Sequence, residues 1–174
     1  MTENKILYTG DWLSFNKRGT FEFVTRNSDV QSAIIIAVNA QKKLVLVEQY
    51  RASLDAYTLE LPAGLIGDEA DFVGEVAHDA AMRELLEETG YQAQHMEKIT
   101  HGPISSGMSN EIMHFFVAHN IEKVGPGGGD ASENITVHEV PLDDVPSTLH
   151  AMQKEGMHID PKIFIGLYAA HYVL

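Results

Sequence analysis

The sequence contains no cysteine. That excludes a disulfide framework, a thiolate zinc site and a cysteine nucleophile. Long apolar runs are missing too. One of the longest, AIIIAV at residues 33–38, falls far short of the ~20 residues a membrane helix needs. No membrane association is expected. The opening MTENKILYTG has no basic stretch leading into an apolar one, so no secretory leader is expected and a cytoplasmic location is. Bases are scarce: 12 Lys and Arg stand against 25 Asp and Glu, a formal net charge of −13. Binding nucleic acid through a broad face needs clustered Lys and Arg to displace counterions, so no nucleic-acid partner is expected. The nine histidines are scattered, with no HExxH, and read as structural or surface residues. The methionines read as core or interface filler.

What is present describes one ordinary domain over residues 1–174. Hydrophobic residues make up 44% and charged residues 21%, a composition that builds a sizeable core. A chain of this length buries about 70% of the surface its unfolded form exposes. It needs neither a disulfide nor a structural metal to hold it.

Residues 20–26 alternate and read as a strand. Residues 32–38 and 44–48 are continuous apolar runs, the mark of buried strands, joined by a turn at 39–43. A short strand at 59–61 stops at Pro62. Residues 71–89 form the strongest helical segment. Val76, Ala80, Leu85 and Leu86 fall on its apolar stripe, and Gly90 stands where a C-terminal cap belongs. Residues 112–117 and 135–140 read as strands. The glycine-rich stretch 125–130 between them reads as a flexible loop. Helices are expected over 142–154 and 161–172. Strands interleaved with helices predict an α/β domain with a mixed sheet covered by helices.

The acid is unevenly spread. Eight acids and one base, Arg83, lie between Asp68 and Glu88. Such a stretch is either a solvated acidic face or a cation site. On a helix, Glu84, Glu87 and Glu88 share one face at i, i+3 and i+4. Like charges at that spacing cost roughly 0.2–0.5 kcal/mol per pair. Arg83 cannot neutralise all three. A hard divalent cation with a preference for oxygen, Mg²⁺ or Mn²⁺, fits best.

Arg83-Glu84-Leu85-Leu86-Glu87-Glu88-Thr89-Gly90-Tyr91 also matches the core of the Nudix box, R-E-U-x-E-E-x-G-U, where U is a large apolar residue. Glu75 lies at the required seven-residue gap before Arg83. The chain is thus similar to Nudix hydrolases. One departure stands out. The box opens G-x5-E, whereas Gly64 to Glu75 is G-x10-E, which reads as an insertion of about five residues within residues 66–73. Insertions of that size in loops cost little. The likeness extends to the ADP-ribose and ADP-sugar pyrophosphatase branch. Glu48-Gln49-Tyr50-Arg51, Glu60-Leu61-Pro62-Ala63-Gly64, Ser105-Ser106-Gly107-Met108-Ser109-Asn110-Glu111 and the acidic stretch at 128–134 resemble that branch's motifs, with Ser106 where proline is usual.

The resemblance implies an α/β/α sandwich and a Mg²⁺-dependent or Mn²⁺-dependent pyrophosphatase. Its substrate would be ADP-ribose or a related nucleoside diphosphate sugar. It implies metal ligands at Glu84, Glu87, Glu88 and the Ala63 carbonyl, with Glu75 supporting the first helical turn or pairing with Arg83. Glu133 would be the general base, with Glu111 as the alternative, and the nearby glycines would free that loop to close. Arg51, which ends an apolar strand with no adjacent acid in sequence, would grip a phosphate, and Glu60 and Glu111 are further candidates for binding substrate. Trp12 and Phe21 would sandwich the adenine, one from each subunit of a homodimer, with Glu22 accepting from its amino group; packing at a strand surface or dimer interface is the competing reading. Residues 1–30 would form the strand segment that builds the dimer. Two alternatives carry different functions: a Nudix hydrolase of another nucleotide (a dinucleoside polyphosphate, a coenzyme or an oxidised nucleotide), and a module that binds ADP-ribose without hydrolysing it.

Overall fold

The computed structural model describes residues 2–28, 30–67, 72, 74–129 and 134–173. Strand β4 (Ser32–Ala37) organises the core and is buried along its whole length. Successive side chains of a strand point to opposite faces. Accordingly Ala33, Ile35 and Ala37 enter one apolar cluster, while Ile34 and Ile36 enter another. Helix α1 (Ala77–Thr89) closes the first cluster with Ala80, Ala81 and Leu85. Helices α2 (Val145–Lys154) and α3 (Lys162–Tyr172) close the second, through Val145, Leu149, Ile163 and Ala169. A strand covered on both faces reads as an unbroken apolar run. Helices on opposite sides of the strands give the expected α/β/α layering.

Two mixed sheets fill the middle layer. In one, the order is β7 (Ala63–Leu65), β4, β10 (Ile112–His119) and β9 (His95–Pro103), with β4 and β10 parallel. In the other it is β12 (Thr136–Pro141), β5 (Lys43–Arg51), β6 (Ala56–Glu60) and β13 (His158–Ile159), with β6 and β13 parallel. A bridge between Val38 and Leu44 links β4 to β5. The turn between them is held by Asn39, whose Oδ1 accepts from the N–H groups of Gln41 and Lys43. A third, antiparallel sheet of β1 (Asn4–Thr9), β2 (Leu13–Arg18) and β3 (Phe21–Arg26) opens the chain. A small pair, β8 (Tyr91–Gln92) with β11 (Glu122–Lys123), follows α1. Among the described residues no helix is long and apolar enough to cross a membrane.

The structure departs from the sequence reading at the start of the first helix and in several strands. Helix α1 begins at Ala77, not at 71. Gly74 has φ +85°, which ends any helical run, and Glu75 turns back toward Arg83. With that later start Val76 is 58% exposed and Leu86 39%, so Ala80, Ala81 and Leu85 carry the apolar stripe. Residue patterning also missed β9 and the short β8, β11 and β13, and β1 and β2 were expected only within the 1–30 strand segment that the resemblance implies. β1 and β9 are largely exposed with polar residues interrupting their alternation, while β2 inverts the usual pattern, burying Ser14 and Asn16 and exposing Leu13 and Phe15.

Gly90 caps α1 at φ +70°, its N–H bonding the Leu86 carbonyl at 2.8 Å. A Cβ there would lie 2.1 Å from the Gly125 carbonyl oxygen and 2.8 Å from the Gly127 nitrogen. Both obstacles are backbone. Gly90→Ala is therefore expected to destabilise the fold by at least about 2 kcal/mol. Urea unfolding checks this against Gly102→Ala, where nothing lies within 4 Å of the added atom and the change should stay within about 0.5 kcal/mol.

Candidate active site

The packing of α1 against β7 assembles the centre of the site. Glu88 is only 1% exposed, and its Oε2 accepts the Ala63 N–H at 3.0 Å. The Glu84 carboxylate lies 1.9 Å from where a Gly64 Cβ would stand. A side chain at 64 would oblige that carboxylate to move. Three of the expected metal-holding positions, Ala63, Glu84 and Glu88, thus come together across one helix–strand contact. Glu87, one turn on from Glu84, has a half-exposed side chain.

Arg83 ties these acids to the turn before the helix. Its Nε and Nη2 donate to Glu75 at 3.1 and 3.0 Å, and Nη2 also donates to the Leu65 carbonyl at 3.2 Å. Nη1 donates to Glu84 at 2.8 Å and to Glu87 at 3.0 Å. Burial works against its charge, but Glu75, Glu84 and Glu87 more than offset that, and the guanidinium pKa is raised above its ordinary value. The Phe72 ring lies 4.4 Å from the Arg83 Cζ, a cation–π contact. The insertion ahead of Glu75 thereby adds a supporting residue. Its one aromatic beside a lone arginine was the available signal, and sequence reasoning passed over it. Asp68–Asp71 and Val73 of that insertion lie outside the described residues.

Among the described residues no three acids form a ready cation cage. Arg83 draws Glu84 and Glu87 toward itself. The donor chemistry nonetheless fits a hard divalent ion: every candidate ligand is an oxygen, and Gly64 keeps a carboxylate-sized space clear.

Glu133 lies outside the described residues. The glycines ahead of it do not hang free, contrary to expectation. The Gly128 and Gly129 N–H groups donate to the Glu88 and Glu87 carbonyls at 2.8 and 3.1 Å. The Val124 and Gly125 N–H groups donate to the Gly90 carbonyl, and the Ile135 N–H to Gly128 at 3.2 Å. A Cβ on Gly127 would lie 2.4 Å from the Thr89 carbonyl carbon, so glycine is required for contact rather than for motion. Glu111, the alternative base, has one oxygen shared among three donors: Arg26 Nε and Nη2, at 3.4 and 3.1 Å, and the Ser32 hydroxyl at 2.7 Å.

The Arg51 fork is met within the chain. Its Nε and Nη2 donate to the two Glu60 oxygens, each at 2.7 Å. Trp12 is 81% exposed and Phe21 51%, and Glu22 pairs with Lys17 at 3.4 Å. Leu13 pairs with Arg26 at one end of β2, and Arg18 with Phe21 at the other. Trp12 and Phe21 therefore stand at opposite ends of the N-terminal sheet.

The NUDIX domain family matches residues 29–160. The chain belongs to the Nudix family. It is 37% identical over 111 residues to a methanol dehydrogenase activator of Bacillus methanolicus, covering 63% of this chain and 57% of that one. It is 35% identical over 113 residues to an ADP-ribose pyrophosphatase of Bacillus subtilis, again covering 63% of this chain and 57% of that one. Both matches thus span little more than half of those relatives. An ADP-sugar pyrophosphatase of Mus musculus is 29% identical over 198 aligned positions, covering 98% of this chain and 87% of its own. The crystal structure of an ADP compounds hydrolase shares the Nudix fold at a TM-score of 0.66 and 18% identity, over 83% of this chain and 80% of that one.

The Nudix arginine supplies a direct test. Arg83→Gln leaves the nearly buried Glu75 and Glu84 (side chains 8% and 13% exposed) without their cation. Stripping one partner from a buried ionic network costs about 3–5 kcal/mol. Urea unfolding in EDTA should show a loss near the lower end, since Glu87 is half-exposed. A loss under about 1 kcal/mol would show that the network holds without Arg83.

Proposed function

We propose that this chain hydrolyses the pyrophosphate bond of ADP-ribose or a related nucleoside diphosphate sugar, releasing a nucleoside monophosphate and a sugar phosphate. The observation that carries this reading is the docking of the Nudix helix on β7, which buries Glu88 and seats Glu84 against Gly64. A charged side chain is costly to bury, and a site that holds one at 1% exposure is organised around charge. The ADP-ribose and ADP-sugar pyrophosphatases among the relatives support the substrate class.

Glu84, Glu87, Glu88 and the Ala63 carbonyl would hold Mg²⁺ or Mn²⁺. When bound, such an ion neutralises the pyrophosphate and polarises a water. Arg83 holds Glu84 and Glu87 in reach of one another. Glu133 takes the proton of the attacking water on a carboxylate oxygen. Arg51, bonded to Glu60, would grip a phosphate of the substrate. Trp12, Phe21 and Glu22 receive the adenine between two subunits.

The deciding assay measures phosphate release, after phosphatase coupling, from ADP-ribose, ADP-glucose, GDP-mannose and diadenosine tetraphosphate with Mg²⁺. ADP-ribose or an ADP-sugar should give the highest kcat/KM; a clear preference for the dinucleotide would refute the substrate class. In the same assay Glu88→Gln should lose at least about 10²-fold in kcat. Glu133→Gln should lose about 10²–10⁴-fold with KM within a few-fold. If Glu133→Gln keeps its rate while Glu111→Gln loses it, the base is Glu111. Light scattering should give twice the 19.2 kDa chain mass at micromolar concentration, and a monomer mass there would sink the two-subunit adenine site.

A further inference from the structure

Thirteen positions separate His101 from His114 in the sequence, but the antiparallel pairing of β9 with β10 sets them directly opposite each other. Side chains of such a pair share one face, with Cβ atoms about 4.5–5.5 Å apart. The two imidazoles stack, their centroids 5.7 Å apart and their planes 17° from parallel. His101 is exposed, while His114 is partly buried. The His114 Nε2 bonds the Gln31 Oε1. A carboxamide oxygen only accepts, so Nε2 carries the proton and Nδ1 keeps its lone pair. That Nδ1 is buried and has no hydrogen-bond partner among the described residues. A buried acceptor left unmet is costly and calls for an explanation. Burial, then the charges of Lys98 and His101, hold the His114 pKa below its ordinary value, so the lone pair persists at neutral pH.

A neutral imidazole that gives its N–H to an amide oxygen and keeps its other nitrogen unprotonated has the arrangement of a metal-binding histidine. Imidazole nitrogens suit Cu²⁺, Ni²⁺ or Zn²⁺, whereas Mg²⁺ takes oxygen. Among the described residues no three His, Asp or Glu stand together as a ready cage, so the site on offer is a chelate of two nitrogens. His114 and Gln31 also line a cavity of about 520 Å³, which has room for the water ligands such an ion keeps. A second histidine pair, His95 with His119, stacks at the other end of the same two strands. There the His119 Nε2 already meets Glu97 at 3.0 Å, and neither ring has a buried nitrogen without a partner. The unmet acceptor marks the first pair.

We propose that His101 and His114 chelate a borderline divalent transition metal, Cu²⁺ most tightly, at a site separate from the carboxylates of α1. The ion takes the His114 Nδ1, and the exposed His101 ring turns to bring one of its nitrogens within about 3 Å of that atom, the spacing that metal–nitrogen bonds of about 2 Å require. Gln31 fixes the His114 tautomer from the far side of the ring. The test titrates the full chain with Cu²⁺ alone, followed by electron paramagnetic resonance, with millimolar Mg²⁺ present to occupy oxygen ligands. The tightest equivalent should show coupling to two imidazole nitrogens. His101→Ala removes an exposed side chain, so the variant should fold, and it should raise the Cu²⁺ dissociation constant at least about tenfold. Gln31→Ala, which touches no ligand atom, should raise it about 10–100-fold, the usual cost of losing the group that orients a ligating histidine. His95→Ala, at the other pair, should leave it within twofold. A loss under tenfold in His101→Ala, transfer of the loss to His95→Ala, or displacement of the Cu²⁺ by Mg²⁺ would each overturn the site.

Discussion

The guanidinium of Arg83 is the constraint on which the rest of the site depends. Glu84, Glu87 and Glu88 share one helix face, and nothing in helix propensity rewards that arrangement. Arg83 offsets the repulsion by bonding to two of them and to Glu75 at once. The same group reaches the Leu65 carbonyl, so the charge network is also the joint between α1 and β7. Phe72 covers its face. A planar fork with five donors can satisfy this many partners from one point, which an ammonium cannot. The joint places the acids, because Glu84 lies over Gly64 and Glu88 bonds the next residue back.

The opposite end of the helix is fixed by backbone N–H groups and by the Lys123 ammonium, which donates to the Thr89 carbonyl at 2.7 Å. The last carbonyls of a helix lack internal partners. Here the N–H groups of Gly128 and Gly129 supply them, at the very residues that carry Glu88 and Glu87. Close approach of two backbones needs glycine on both sides, and Gly90 and Gly127 provide it. The described chain on either side of residues 130–133 is therefore anchored to the acid helix. Gly129 bonds the Glu87 carbonyl, and Ile135 bonds Gly128. The glycine run that reads as a loose tether in the sequence is a clamp in the structure.

Legibility followed burial and local signal. Strand β4 announced itself because both its faces are covered, and the C-terminal end of α1 because Gly90 needs a positive φ. The acid set was legible from spacing, since i, i+3 and i+4 fix one helix face whatever the fold. Strand β9 was not legible: mostly exposed and interrupted by polar residues, it is held by pairing with β10, and pairing leaves no trace in composition. The partner of Arg51 was hidden for a similar reason. Glu60 is nine positions away and lies opposite Val47 in the β5–β6 pairing, so the Arg51 side chain must reach along the sheet to meet it. The late start of α1 escaped because Gly74 is tolerable in a helical pattern until its φ is known.

The N-terminal sheet poses a geometric problem that one chain cannot solve. Trp12 precedes β2 and Phe21 follows it, and the six residues of that strand span about 20 Å. Stacking needs rings on both faces of a base only a few ångströms apart. No single copy can close Trp12 and Phe21 on one adenine, so a sandwich of these two rings requires the second ring to come from another copy. The N-terminal sheet carries exposed apolar side chains that such a contact would use. Ile6, Tyr8, Trp12 and Phe21 are all more than half exposed on one sheet, and exposed apolar surface of this kind marks an interaction face. The bond from the Val24 N–H to the Met108 carbonyl, together with the Arg26–Glu111 pair, fastens that sheet to the loop ahead of β10. Under the proposed reading, an adenine bound between copies would be held by the same sheet that pairs with Glu111, and base recognition would be tied to the candidate active site through those two bonds.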